Sequence, residues 1–275
     1  MVFVRHIALL LIFFSSQSYS SEESFTESEY LEASEPKEFL SLSRSIIHSR
    51  DFEKVRDLSH TSLEYSASKK VAYLELNFWF ASGNCSGFLV GPQLLLTNNH
   101  CIHANNELID PEGIHVYMNY LNEDDKGPLA TQGQEVLVTN QALDYALIKL
   151  VDPIGLEYGW LELEGKNSTE QVVIIQHPQG RSKEITRVNG QVMRYQTNIL
   201  RYESDTEIGS SGSPVFISGS DRVIAMHHFG DPDSRYNEGI RMSQILPTIK
   251  KWLPKQAVKI RVSKINPIID IIERF

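Results

Sequence analysis

Gly209-Ser210-Ser211-Gly212-Ser213-Pro214 runs directly into Val215-Phe216-Ile217. The first run is made of small residues and is closed by a proline, a composition that lets a backbone turn sharply. The apolar triplet after it reads as a strand. A serine is thus presented on a tight turn at the head of a buried β element. Taken alone, the run reads equally well as an ordinary loop. Two upstream stretches change that reading. Leu96-Thr97-Asn98-Asn99-His100-Cys101 places a histidine at the end of an apolar run, and Asp144 precedes Tyr145-Ala146-Leu147-Ile148-Lys149-Leu150, another apolar run. A serine hydroxyl needs a base to become a nucleophile, and the base needs a group to orient it.

Histidine, aspartate and serine in this order differ from the order used by α/β-hydrolases and by subtilisins. The three motifs resemble those of the trypsin-like serine endopeptidases, nearest the bacterial glutamyl-endopeptidase branch. The family's Thr-Ala-Ala-His-Cys stands here as Thr97-Asn98-Asn99-His100-Cys101. Its Asp-Ile-Ala-Leu stands as Asp144-Tyr145-Ala146-Leu147, and its Gly-Asp-Ser-Gly-Gly-Pro as Gly209-Ser210-Ser211-Gly212-Ser213-Pro214. The likeness runs from Val71 to Trp252. It implies an all-β fold of two six-stranded Greek-key β-barrels with a C-terminal helix and the site in the cleft between them. It also implies peptide-bond hydrolysis through an acyl-serine intermediate, with no cofactor and no metal. Ser211 would be the nucleophile, His100 the base and later the acid, and Asp144 the residue that fixes the histidine tautomer. The backbone N–H groups of Gly209 and Ser211 would form the oxyanion hole. Cys85 and Cys101 occupy the places of a family disulfide. One departure matters: animal trypsins carry an aspartate just before the serine to bind the new N-terminus, and this chain has Ser210.

Specificity stays open at this level. His227 and Thr206 fall on positions that contact an acidic side chain in glutamyl endopeptidases. In that case binding should weaken as pH rises through the His227 pKa. Asp205 falls where trypsins place the carboxylate that binds Arg or Lys. If Asp205 instead turns away to hold its loop, neutral residues are accepted.

The remaining sequence sets the context. Met1 to Ser20 reads as a signal peptide, with Ile7–Phe14 as an apolar core too short to span a bilayer. An export signal and two cysteines fit a secreted or periplasmic protein with one bridge. Residues 21–66 begin with a glutamate-rich run and read as a pro-segment or disordered region, with Arg50 and Arg56 as candidate processing points and a short helix around Phe39–Ile47. Residues 67–254 form the protease-like domain, in which short strands separated by turns continue to Arg222–His227. Ser243–Leu253 has helical spacing. Residues 255–275 form an extension with an alternating stretch and an isoleucine-rich end. The 275 residues carry a net charge of −9, which argues against nucleic acid as a partner. The expected partner is a protein or peptide substrate, with no stable membrane span. Two rival readings are a non-catalytic binding protein on the same fold and an esterase or toxin-like protease of narrow specificity. A metal at His100 and His103 lacks a ligand set.

Overall fold

The computed structural model describes residue 46 and residues 50–166, 171–187, 192–230 and 236–255. The expected signal peptide, the acidic run with its short helix, and the extension beyond residue 255 lie outside the described residues. Among the described residues no helix is long and apolar enough to cross a membrane.

Six strands close a first barrel, in the order Val71–Asn77, Ser82–Gly91, Leu94–Thr97, Tyr145–Leu150, Thr131–Asn140, Ile114–Tyr117 and back to the first. The apolar runs in these strands are continuous because both faces are buried. Alternate side chains point to opposite sides of a strand. Leu95, Ala146, Ile148 and Leu150 therefore fill one core with Leu74, Leu89 and Val116. Leu94, Leu96, Tyr145 and Leu147 point the other way and join Phe88 and Val90.

That second face packs on the other half of the molecule, through Val173, Ile175, Phe216 and Met226. The other half extends the expected strand set to one nine-stranded sheet. Its path runs Glu53–Lys54, Glu184–Thr186, Val172–Gln176, Pro214–Ile217, Arg222–Gly230, Asn237–Arg241, Ile199–Tyr202 and Val192–Tyr195. Glu162–Leu163 pairs in parallel with Arg222–Gly230. The C-terminal helix Met242–Ile249 buries Met242, Ile245 and Ile249, a spacing that keeps one face on the core.

The stretch from Arg50, assigned from the sequence to a pro-segment, is packed onto this domain. Glu53–Lys54 adds a strand to the second sheet. Val55 is fully buried in the shared core, and Leu58 lies beside it. Leu63–Ser68 forms a helix whose Ser62 cap accepts from the Tyr65 N–H. Lys183 ties these parts together. Its buried amine donates to the carbonyl oxygens of Ser68 at 2.7 Å and Met118 at 2.8 Å. Burial holds its pKa down at about 7.

Cys85 and Cys101 are joined in a disulfide that closes a loop of sixteen positions. Loop closure of this size is worth roughly 3 kcal/mol in the chain-entropy treatment. Reduction should lower the urea midpoint of unfolding and steepen its slope, because the uncrosslinked chain exposes more surface when unfolded, and a thiol titration of the folded, oxidised protein should find none free.

Candidate active site

His100 lies on the one-turn helix Asn99–Ile102, immediately after the strand Leu94–Thr97. Its neighbour Cys101 is in the disulfide, and a ring nitrogen of His100 lies within 4.8 Å of both sulfurs. Those sulfurs are bonded to each other, so neither offers a thiolate to a metal.

Asp144 ends a tight turn. The Asn140 side chain accepts from the Leu143 N–H at 2.8 Å, and the Asp144 N–H donates to the Gln141 carbonyl at 3.1 Å. Asp144 has φ +38°, and a short polar side chain is among the few that tolerate that region. Asn98 holds it there by donating to the Asp144 carbonyl at 2.8 Å. The carboxylate then takes His100 with both oxygens. Oδ1 accepts the His100 backbone N–H at 3.0 Å, and Oδ2 lies 2.7 Å from Nδ1. A proton on Nδ1 leaves a lone pair on Nε2. His228, on the strand Arg222–Gly230, brings its Nδ1 to 3.4 Å from the same Oδ2. Burial alone would raise the Asp144 pKa, but the charges and hydrogen bonds of His100 and His228 hold it well below the carboxylate range. Burial pulls the His100 pKa down, yet the charge of Asp144 and the hydrogen bond to it win, and the net shift is upward.

Ser211 sits on a loop fixed from both sides. Ser210 N–H donates to Glu207 and Ser213 N–H to Ser210, each at 3.0 Å. The Gly212 N–H donates to the His227 carbonyl at 3.0 Å, and the His227 N–H returns to Ser213 at 2.9 Å. The Ser211 carbonyl accepts the Ser86 N–H at 2.8 Å and lies 4.0 Å from the Cys101 sulfur. Ser211 and His100 thus lie against the same disulfide. Among the described residues the amides of Gly209 and Ser211 make no internal hydrogen bond, whereas Ser210, Gly212 and Ser213 do. Gly209 has φ +89°, and a Cβ there would fall 2.5 Å from Asn84 Oδ1 and 2.7 Å from the His177 carbonyl. Glycine is therefore obligatory at this turn.

The specificity candidates are all buried. Asp205 is 2 % exposed, and its Oδ2 accepts the Asp51 N–H at 3.3 Å. Burial, then the charge of Asp205 and a hydrogen bond to it, push the Asp51 carboxyl up to about 7. Glu207 pairs with Arg181 at 2.7 Å and with Arg50 at 3.4 Å. Ser210, where trypsins carry aspartate, uses its hydroxyl to accept the Glu207 N–H at 3.2 Å. The Thr206 hydroxyl is buried without a hydrogen-bond partner among the described residues. His227 is 1 % exposed, and burial with the nearby His228 and His100 holds its pKa down at about 3.

The trypsin-like peptidase domain profile matches residues 85–226. The chain belongs to the trypsin-like peptidase family. Glutamyl endopeptidases are among the proteins it is similar to. A glutamyl endopeptidase of Staphylococcus epidermidis is 28 % identical over 184 residues, covering 63 % of this chain and 63 % of that protein. An uncharacterised protein, y4fB, of Sinorhizobium fredii is 31 % identical over 231 residues, covering 69 % of this chain and 33 % of that protein. The chain therefore spans less than two thirds of the length of these relatives. A solved Glu endopeptidase shares the fold, with a TM-score of 0.61 at 21 % identity over 75 % of this chain and 98 % of its own.

If the Gly209 amide is an oxyanion donor, Gly209→Ala displaces it and should slow fluorophosphonate labelling of Ser211 by at least about a hundredfold. Labelling at the parent rate would show that this turn is not part of the reactive site.

Proposed function

We propose that this chain is an exported serine endopeptidase that uses Ser211, His100 and Asp144. The observation that carries this reading is the two-point grip of Asp144 on His100, through the backbone N–H at 3.0 Å and Nδ1 at 2.7 Å. That grip sets the tautomer in which Nε2 accepts a proton. Nε2 takes the Ser211 hydroxyl proton as Oγ attacks the scissile carbonyl, and the carbonyl electrons move onto oxygen. The unengaged amides of Gly209 and Ser211 receive that oxyanion. The imidazolium, stabilised by Asp144, then protonates the leaving amine as the carbon–nitrogen bond breaks. Water attacks the acyl-enzyme by the same route in reverse. The disulfide supports an oxidising, extracytoplasmic setting. A protein that kept this fold only for binding would have no use for a desolvated histidine–aspartate pair, and covalent capture by a fluorophosphonate separates the two readings.

For specificity we favour cleavage after Glu or Asp. The Thr206 hydroxyl is buried and unpartnered among the described residues, and buried polar groups are costly unless a ligand completes them. His227 supplies the second contact. The carboxylate of Asp205 is turned toward the N-terminal segment through Asp51, which weighs against a pocket for Arg or Lys. The low His227 pKa changes the expected pH behaviour: the ring is already neutral at mildly acidic pH, so it binds as a neutral donor.

Two measurements test this reading. Ser211→Ala should abolish turnover and labelling while the thermal transition persists; retained turnover removes the assignment. In the parent, kcat/KM should fall as pH drops, because only neutral His100 is a base. Its midpoint should lie above the ordinary histidine value of about 6.5. Selectivity for Glu over Gln should stay flat between about pH 5 and 8, since His227 does not titrate there. Cuts confined to the carboxyl side of Arg and Lys in a peptide-library digest would overturn the acidic preference.

A further inference from the structure

Among the described residues Trp79 is the most exposed large apolar side chain, with 84 % of its surface open to solvent. It stands at the tip of the hairpin formed by Val71–Asn77 and Ser82–Gly91, where the Phe78 N–H donates to the Ala81 carbonyl at 2.8 Å. Its ring meets Phe80 edge-on with centroids 5.1 Å apart, and Phe80 lies 5.5 Å from Phe78. The indole N–H donates to the Glu107 carboxylate. The polar edge of the ring is thus tethered while its apolar surface stays in water. Leu108, next to Glu107, is exposed as well. An exposed aromatic group of this kind marks a contact surface.

Both routes to this tip start at the disulfide beside His100. From Cys85 the strand runs back through Asn84 to Trp79. From Cys101 the chain runs on through the paired segments His103–Ala104 and Glu107–Leu108. The His100 ring lies beside both sulfurs and is the proposed proton donor to the departing amine. The departing segment therefore begins on this side, while the side chain before the scissile bond is assigned to Thr206 and His227.

The strand edge between the disulfide and the tip is open. Ser86 points its N–H away from Val71–Asn77, to the Ser211 carbonyl at 2.8 Å. In an antiparallel pair such residues alternate with those that bond the partner strand. Asn84 and Ser82 face the same way as Ser86, and their backbone groups make no hydrogen bond among the described residues. The next strand, Leu94–Thr97, reaches only as far as Phe88. An extended segment can add to such an edge. From Asn84 to Trp79 the chain covers roughly 15 Å at the usual rise of a strand, so a departing segment meets the tip with about its fourth or fifth residue.

We propose that Phe78, Trp79 and Phe80 form a recognition surface for the departing side of a polypeptide substrate, selecting an aromatic residue about four or five positions beyond the scissile bond. The proposal rests on the endopeptidase reading given above. It makes extended polypeptides the substrate class, with part of the choice made far from the reacting bond.

The test uses two peptides that are identical up to the third residue after the scissile bond. One continues with Trp-Phe and the other with Ser-Ser. In the parent, kcat/KM should be at least about fivefold higher for the aromatic peptide. Trp79→Ala should bring that ratio down to about one, and Trp79→Phe should keep most of it. No difference in the parent, a ratio that survives Trp79→Ala, or an equal loss on both peptides overturns the proposal and leaves the endopeptidase reading in place. A surface that docks on membranes instead would lose binding to phosphatidylglycerol vesicles in Trp79→Ala with the peptide ratio unchanged, which also overturns it. If neither peptide is cut and Ser211 takes no fluorophosphonate, the endopeptidase reading falls and this proposal with it.

Discussion

Ser86 is the residue on which the site's geometry depends. Its backbone N–H holds the Ser211 carbonyl at 2.8 Å. Its hydroxyl donates to the Gly209 carbonyl at 2.9 Å and accepts the His177 N–H at 3.0 Å. Its carbonyl accepts the Thr97 hydroxyl at 2.8 Å. One buried serine of the first barrel therefore fixes both ends of the proposed oxyanion turn in the second half. Its neighbour Cys85 is bonded to Cys101, beside His100. His100 and Ser211 arise on different halves of the fold, and this short stretch joins them. Inside a protein such hydrogen bonds are strong and costly to leave half made, so any relative sliding of the halves breaks several together.

The motifs were legible because each is local. A glycine-serine turn, a histidine after an apolar run and an aspartate before one can be read in a few residues. The all-β class and the C-terminal helix follow from equally local patterns. Ser86, His228 and Lys183 were not legible, because what they hold comes from contacts made across the fold. Ser86 and Gly209 are 123 positions apart, and nothing in the sequence around Ser86 sets it apart from any strand serine. The strands Ile199–Tyr202 and Asn237–Arg241 were missed for a different reason. They carry charges where an alternating apolar pattern is expected, and those charges answer each other across the pair, with Arg201 at 2.7 Å from Glu238 in direct register. Cross-strand pairing of this kind stabilises a sheet without leaving an apolar signature.

The acidic residues upstream of Ser211 meet partners within the fold. Asp205 falls where trypsins place a pocket carboxylate, and Glu207 follows two positions later. In the fold Asp205 meets Asp51 and Glu207 meets Arg181 and Arg50. Glu207 is neutralised by arginines, whereas the Asp205 carboxylate pushes the neighbouring Asp51 carboxyl up to about 7.

The packing of residues 50–58 bears on the two cleavage points that the sequence suggests. Between the two candidate cleavage points, Arg56 follows Val55, which has no exposed surface and is part of the common core. A cut there would detach a core side chain and a sheet strand from the rest of the domain. A cut at Arg50 leaves both in place and severs the chain beside Asp51, at the edge of the Asp205 loop. The folded domain thus discriminates between two chemically identical arginines by what each cut would unfasten: at Arg50 the pair with Glu207, at Arg56 a core side chain and a sheet strand.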